Sequence, residues 1–250
     1  MKMISNKFYL RNISLHNNFL ADNYWSCLPF YRELISGKKI SFNSPVTFFI
    51  GENGSGKSTL IEAIAVAMGY NAEGGSKNFN FSTRNTTSML WDELQLCKMA
   101  YESDGFFLRA ESFYNLATNI DDIRINIDNY GGKSLHNQSH GESFLALIQN
   151  RFHGNGFYIL DEPEAALSPM RQLTLLIEIN NLVNNNSQFI IATHSPLLLA
   201  YPGAQIYSLD HGIEMIDYTE TEHYKLTKSF LDNPNIFIKR LFDLNSRNDK

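Results

Sequence analysis

The run Val46–Thr59, VTFFIGENGSGKST, constrains this chain more than any other. An apolar, β-rich stretch, Val46 to Ile50, leads into a loop that fits G-x-x-x-x-G-K-[ST] through Gly51, Gly56, Lys57 and Ser58. Leu60, Ile61, Ile64, Ala65 and Met68 then recur at helical spacing, and Gly69 marks the stop. The order predicted is strand, glycine loop, helix. The glycines let backbone N–H groups converge on phosphate oxygens, and the helix N-terminus adds its partial positive charge. Gly51, Glu52, Asn53, Gly54, Ser55, Gly56, Lys57, Ser58 and Thr59 are therefore the expected phosphate cradle. Lys57 supplies a point charge to the β- and γ-phosphates, and the Ser58 hydroxyl is a magnesium ligand.

A second stretch, FYILDEPEAALSP (Phe157–Pro169), places two adjacent carboxylates at the end of an apolar run. Asp161 and Glu162 are costly to bury there unless something needs their charge. A magnesium nucleotide would need both. One carboxylate holds the metal through its water shell, and the other polarises an attacking water. Taken alone, the pair also fits a solvated turn; the phosphate loop upstream argues against that.

The chain has 250 residues, enough for one large domain or a domain carrying an inserted lobe. Hydrophobic residues make up 43%, which allows a sizeable core. With 21 Lys and Arg against 26 Asp and Glu, charge does not indicate a dedicated nucleic-acid binder. A basic patch formed by folding or dimerisation stays open. Cys27 and Cys97 have no metal-type spacing and fit a reducing compartment. The N-terminal stretch lacks the apolar core of a signal peptide, and no run approaches the roughly 20 apolar residues of a membrane span. A cytoplasmic setting is the expectation, with no direct membrane insertion.

Phe8 to Leu15 reads as a first strand, and Tyr24, Trp25, Phe30 and Tyr31 as aromatics packed under a sheet rather than stacked on adenine. Residues 70–88 read as a long ordered loop from which Arg84 could reach phosphate, although a surface position suits it better. Gly131-Gly132 is a break. Ser139 opens an apolar-striped helix to Phe152, either through a capping box with Glu142 or as a functional anion site. Ser168 is a candidate N-cap with Pro169 as first helical residue, and the helix stops at Asn184–Asn186. Gln188 to Thr193 is a buried strand with His194 at its end. Gln205–Leu209 and Ile213–Tyr218 form a hairpin-like pair, and residues 219–250 a helical tail broken at Pro234. Alternating strands and helices predict an α/β fold, mostly parallel, with ligands at the carboxyl ends of the strands.

Four motifs thus stand in order: GENGSGKST, SHGES, YILDEP and THSP. In this they resemble the ABC-class ATPases of the P-loop NTPase fold, over about residues 1–215. The resemblance implies ATP and Mg2+ as ligands and a mostly parallel sheet flanked by helices, with an inserted helical signature lobe. SHGES, Ser139 to Ser143, is similar to that family's signature motif, usually LSGGQ. Ser139, Gly141 and Glu142 would then cap ATP held by the phosphate loop of a second subunit. Asp161 would assist magnesium, Glu162 would be the catalytic carboxylate, Glu164–Pro169 the dimer-contacting loop, and His194 the switch histidine sensing γ-phosphate. Glu111 stands where the family carries its Q-loop glutamine, a third candidate metal contact beside Ser58 and Asp161 that adds negative charge near phosphate. The resemblance divides the chain into an ATPase domain at 1–218, with the lobe at about 89–152, and a tail at 219–250.

Details discriminate within the class. Transporter subunits usually read DEPTSALD and THD, whereas this chain reads DEPEAALSP and THSP, with Ser168 in place of the usual aspartate. These forms are similar to the SMC, RecF and OLD-type branch, but too few residues separate Lys57 from Ser139 for the long coiled coil of SMC proteins. The tail is too short for an appended nuclease domain. GFFLRAESF, NAEGGSKNFNFSTR, HGESFLAL and THSPLLLAYPGA resemble small stand-alone bacterial ATPases of the AAA group across nearly the whole chain. The expected function is ATP hydrolysis, with Lys57, Glu162 and His194 as catalytic residues. It would run in a head-to-tail ATP-dependent homodimer that gates or drives a protein partner, in DNA maintenance or defence. The alternative is the ATP-binding subunit of an ABC transporter. A non-hydrolysing ATP sensor is also compatible with the motifs, while a small-molecule kinase would leave SHGES and His194 without a role.

Overall fold

The computed structural model describes residues 8–16, 23–77, 88–122 and 138–248. Strands β1 (Leu10–Leu15), β2 (Ile40–Ser41) and β4 (Leu94–Lys98) form an antiparallel sheet in the order β2-β1-β4. Strands β3 (Val46–Ile50), β5 (Asp104–Arg109), β6 (Gly156–Asp161), β7 (Gln188–Ala192), β8 (Gln205–Ser208) and β9 (Glu214–Met215) form the main sheet, ordered β5-β6-β7-β3-β8-β9. Its first five strands are parallel, and β9 returns antiparallel through the hairpin that follows β8. The helices are α1 (Pro29–Ile35), α2 (Lys57–Met68), α3 (Leu90–Glu93), α4 (Phe113–Asp122), α5 (His140–Arg151), α6 (Pro169–Asn184), α7 (Pro196–Leu199), α8 (Glu222–Asp232) and α9 (Pro234–Asn248).

Strands β3, β6 and β7 are buried along their whole length, as central strands covered on both faces must be. Their period-2 alternation splits the core. One set, including Phe48, Phe106, Tyr158, Leu160 and Ile191, packs with Phe113, Phe144, Leu175, Ile179 and Leu198 from α4 to α7. The other set, including Phe49, Phe107, Ile159 and Ile190, packs with Leu60, Ile61 and Ile64 of α2, with Phe30 and Tyr31 of α1, and with the antiparallel sheet. Gln188 ties that sheet down. Its Oε1 accepts from the N–H groups of Tyr9 and Leu10 at 2.9 and 3.0 Å, and its Nε2 donates to the Leu10 carbonyl at 2.8 Å.

Local chemistry sets the helix ends. Gly69 takes a left-handed conformation at the close of α2, Ser139 and Glu142 form the capping box of α5, and α6 opens with Ser168 followed by Pro169. Asn186, in the left-handed region, follows the end of α6. Trp25, Phe30 and Tyr31 are buried, as their sequence context suggested, whereas Tyr24 is 62% exposed.

One expected boundary needs correction. The stretch from about residue 89, assigned from sequence to the inserted lobe, instead supplies β4 of the antiparallel sheet and β5, the edge strand of the main sheet. Gly105–Leu108 is buried on both faces, which is why it joins the sheet. The outer edge of β5 is covered in turn by the loop after α2, where Gly75 and Phe107 exchange backbone hydrogen bonds of 2.7 and 3.0 Å. The helical part of the lobe within the described residues is α4 and α5. Arg84 and Gly131-Gly132 lie outside the described residues. Among the described residues no helix is long and apolar enough to cross a membrane.

Candidate nucleotide site

The carboxyl ends of three neighbouring strands meet at one place. The phosphate loop leaves β3, Asp161 and Glu162 close β6, and Thr193-His194 follow β7. Backbone hydrogen bonds lock these ends together. Glu162 N–H donates to the Ala192 carbonyl at 3.0 Å, and Thr193 N–H to the Phe49 carbonyl at 3.2 Å.

Two loop positions demand glycine. At Gly56, with φ near +91°, an added Cβ would lie 2.6 Å from the Phe30 ring and 2.8 Å from Leu28. At Gly51 it would lie 2.6 Å from Ser55 Oγ and 2.9 Å from Asp210 Oδ1. Asp210, in the turn after β8, accepts the Glu52 N–H at 2.6 Å and so braces the loop from the side. The buried Lys57 ammonium donates to the Gly51 and Glu52 carbonyls at 2.6 and 3.1 Å. Burial pushes its pKa down, opposed by the charges of Glu162, Asp210, Asp161 and Glu164.

Ser58 and Asp161 are in contact, with the hydroxyl donating to Asp161 Oδ1 at 3.2 Å. Burial lifts the Asp161 carboxyl to about 6 against the pull of Arg109, with the charge of Glu162 adding to the rise. Arg109 Nε lies 3.4 Å from Asp161 Oδ2, an ion pair without an aligned hydrogen bond. Arg109 also binds Glu62 at 2.8 Å. Glu162 sits in the left-handed region at φ 49° and ψ 51°, unusual for a residue with a side chain, and its carboxylate is 41% exposed. His194 Nε2 lies 3.7 Å from Glu162 Oε1. Burial, and then the nearby Lys57 charge, hold this histidine below its ordinary pKa. Beneath it, Glu164 accepts from Thr193 Oγ1 at 2.7 Å and from the His194 N–H at 2.5 Å. Burial raises the pKa of Glu164.

Two cavities flank the loop. One of about 490 Å³ runs along Tyr24, Leu28, Gly54, Lys57, Thr59 and Glu162. The other, about 550 Å³, is lined by Gly51, Asn53, His194, Asp210, Glu222 and His223. A smaller one of about 250 Å³ brings Ser58, Asp161 and Glu162 to His140 at the start of α5. Glu111 stands on the rim of that small cavity, its side chain 90% exposed and 3.9 Å from Arg109.

Ser139 and Glu142 are exposed, and Gly141 is buried. The Ser139 hydroxyl donates to Glu142 Oε2 at 2.6 Å, and Arg171 on α6 holds Glu142 Oε1 at 2.9 Å. A Cβ at Gly141 would meet the Ala166 carbonyl at 2.8 Å, so the helix start packs closely on the loop after Glu162. None of these three residues lines either cavity beside the phosphate loop.

The residues fit a magnesium nucleotide. A buried ammonium whose hydrogen bonds go only to its own loop, a serine hydroxyl paired with a carboxylate that burial has made reluctant to ionise, and a buried Ser55 hydroxyl with no partner all suit phosphate and a hard cation. Among the described residues no set of three or more His, Cys, Asp or Glu could hold a metal without such a ligand. Arg109, Asp210 and His223 were not singled out from sequence, and Glu164 was named only as the start of the dimer-contacting loop. Glu164 and Arg109 lie within or beside motifs and could have been suspected, whereas Asp210 and His223 carry no local signal.

The AAA domain family matches residues 29–229, four-fifths of the chain. The chain belongs to this family. A search of curated proteins finds no match to the sequence. Among solved structures, this AAA domain is similar to cbiO1 from Clostridium perfringens, part of the ABC transporter complex cbiONQ, at 15% identity and a TM-score of 0.50. That likeness covers 92% of this chain and 98% of the other. It is also similar to the SMC head domain from Thermotoga maritima, at 17% identity and a TM-score of 0.46, covering 84% and 99% of the two chains. The fold is that of the P-loop ATPases of the ABC class.

Proposed function

We propose that this AAA domain binds and hydrolyses ATP with Mg2+ and closes as a head-to-tail homodimer around two nucleotides. The convergence of Lys57, Ser58, Asp161, Glu162 and His194 at three adjacent strand ends carries the reading. The loop N–H groups and Lys57 bind the phosphates, and Ser58 and Asp161 hold the cation, with Glu111 approaching from the rim. The magnesium ion, when bound, screens the phosphate charge. Glu162 orients a water and takes its proton as the water oxygen bonds to the γ-phosphorus and the bond to ADP oxygen breaks. His194 donates to the γ-phosphate from the far side of the site. Tyr24, exposed at the mouth of the 490 Å³ cavity, offers its ring to the adenine.

The exposed position of Ser139, away from its own Lys57, supports its action on the nucleotide of a second subunit. Closure and reopening would gate a protein partner. Nucleic acid is a partner the net charge of −5 does not point to. The test is light scattering of Glu162→Gln with and without MgATP. Dimer on nucleotide addition is expected, lost again when Ser139→Arg is added. A Glu162→Gln chain that stays monomeric in saturating MgATP overturns the homodimer.

A second reading, the ATP-binding subunit of an ABC transporter, draws on the likeness to cbiO1. Co-purification with a membrane subunit, against co-purification with a soluble protein, separates the two.

A further inference from the structure

The cavity of about 550 Å³ is closed on one side by the C-terminal tail, which meets His194 through the His223 ring. His223, at the second position of α8, places Nε2 3.0 Å from Nδ1 of His194, with ring centroids 5.1 Å apart. The start of α8 is itself fixed. Thr221 is fully buried and caps the helix by accepting the Tyr224 N–H at 3.2 Å, and the Tyr218 and Tyr224 rings pack at 4.7 Å.

A hydrogen bond between two imidazoles needs one N–H and one lone pair. If His194 Nδ1–H donates, His194 Nε2 becomes a bare acceptor 3.7 Å from the Glu162 carboxylate, another acceptor. It could then give nothing to a phosphate oxygen, and His223 Nδ1–H would be a buried donor without a partner. If His223 Nε2–H donates, His194 carries its proton on Nε2, on the side of Glu162. In both cases one N–H and one lone pair stay unpaired, at His194 Nε2 and His223 Nδ1, but here the N–H is the one that faces the Glu162 carboxylate, where its partial positive charge is favoured.

We propose that His223 is a positioning residue: by donating from Nε2 to His194 Nδ1, it holds the switch ring in the tautomer whose Nε2–H faces the reaction. This rests on the reading of His194 as the phosphate-sensing residue. It makes the C-terminal tail part of the nucleotide switch, because any partner that lifts α8 releases the tautomer. Burial keeps both histidines below their ordinary pKa, which leaves the pair neutral near pH 7 and the tautomer meaningful.

The experiment compares His223→Gln with His223→Asn. Both are polar amides, but only the Gln amide nitrogen reaches the position of Nε2. The readouts are the His194 tautomer from 15N chemical shifts in nucleotide-free protein, and steady-state ATP hydrolysis. Expected in the wild type and His223→Gln is the Nε2–H tautomer, with kcat of the Gln variant within about threefold of the wild type. In His223→Asn the tautomer preference is lost and kcat falls about tenfold, while KM for ATP moves less than about twofold, a size typical of lost imidazole-orienting partners. His194→Ala with His223→Asn should be no slower than His194→Ala alone, because the second residue acts through the first. Equal loss in Gln and Asn variants, or an Nδ1–H tautomer in the wild type, overturns the proposal. A normal His223→Asn rate beside an impaired His194→Ala overturns it and leaves the switch role of His194 standing. A normal rate in His194→Ala removes both.

Discussion

At the residue scale, the site holds charges that the fold alone would not choose. Asp161 is the clearest case. Its folded pKa, about 6, lies above the usual 3.8, so ionisation costs folding stability. The cost is absent below the unfolded value, where the group is protonated in both states, and is felt in full above about pH 6. At about 1.4 kcal/mol per pKa unit, the penalty is on the order of 2–3 kcal/mol. Asp161→Asn should therefore raise the melting temperature of the nucleotide-free protein at pH 7 by several degrees. The gain should close as pH falls from about 6 to 4, and magnesium-dependent hydrolysis should be lost at every pH. Calorimetry across that range checks the first part; a variant no more stable than wild type at pH 7 would remove the strained-carboxylate account. Lys57 offers the companion test. Lys57→Ala strips a charge-assisted contact of roughly 1.5–3 kcal/mol, so a fluorescent ATP analogue should bind about 10–150-fold more weakly. For Glu162, the half-exposed carboxylate in a left-handed backbone, Glu162→Gln should lower turnover by roughly 10²–10⁴ while nucleotide titration shows unchanged binding.

At the element scale, the ends of the strands matter more than their lengths. Glu164 clamps Thr193 and the His194 N–H, so the loop after β6 and the loop after β7 move as one piece. The Gln188 strap, far from the nucleotide, does the same for the two sheets. Replacing it removes three hydrogen bonds to β1 and its flank in a buried setting, each loss costing about 1–3 kcal/mol where neither water nor another group takes the place. Gln188→Leu should lower the melting temperature by several degrees yet leave ATP affinity within about twofold, since no strap atom approaches the phosphate loop. A weakened affinity with an unchanged melting curve would show that the strap serves the site rather than the sheet.

At the scale of the whole molecule, the proposed homodimer would complete each site with a second chain. Ser139, Gly141 and Glu142 form a capped, salt-bridged helix start and line none of the three cavities around their own phosphate loop, although His140 between them reaches the smallest. Each subunit would then lend its α5 to the other. Mixing Lys57→Ala with Ser139→Arg subunits should restore one intact composite site out of two, and with it a measurable part of the activity that neither variant has alone. Titrating one variant against a fixed amount of the other gives the answer. No rescue, combined with hydrolysis that depends on another protein, would point to a heteromeric assembly instead.

The sequence by itself determined what is local. The phosphate loop, the apolar strands around it, the capping box at Ser139 and the Ser168-Pro169 helix start all follow from backbone sterics, helix capping and periodicity, which act over a few residues. Asp161 and Glu162 were legible for the same reason, as charges at the end of an apolar run. What only the tertiary structure decided was contact across the chain. Gly105–Leu108 was legible as an apolar strand-like run, but that it joins the main sheet beside β6 and not the lobe is a pairing between distant segments. Asp210 braces the loop at Glu52, and His223 reaches His194 from a different element. Such pairings arise where strand order and helix packing bring distant residues together, and no spacing in the sequence encodes them.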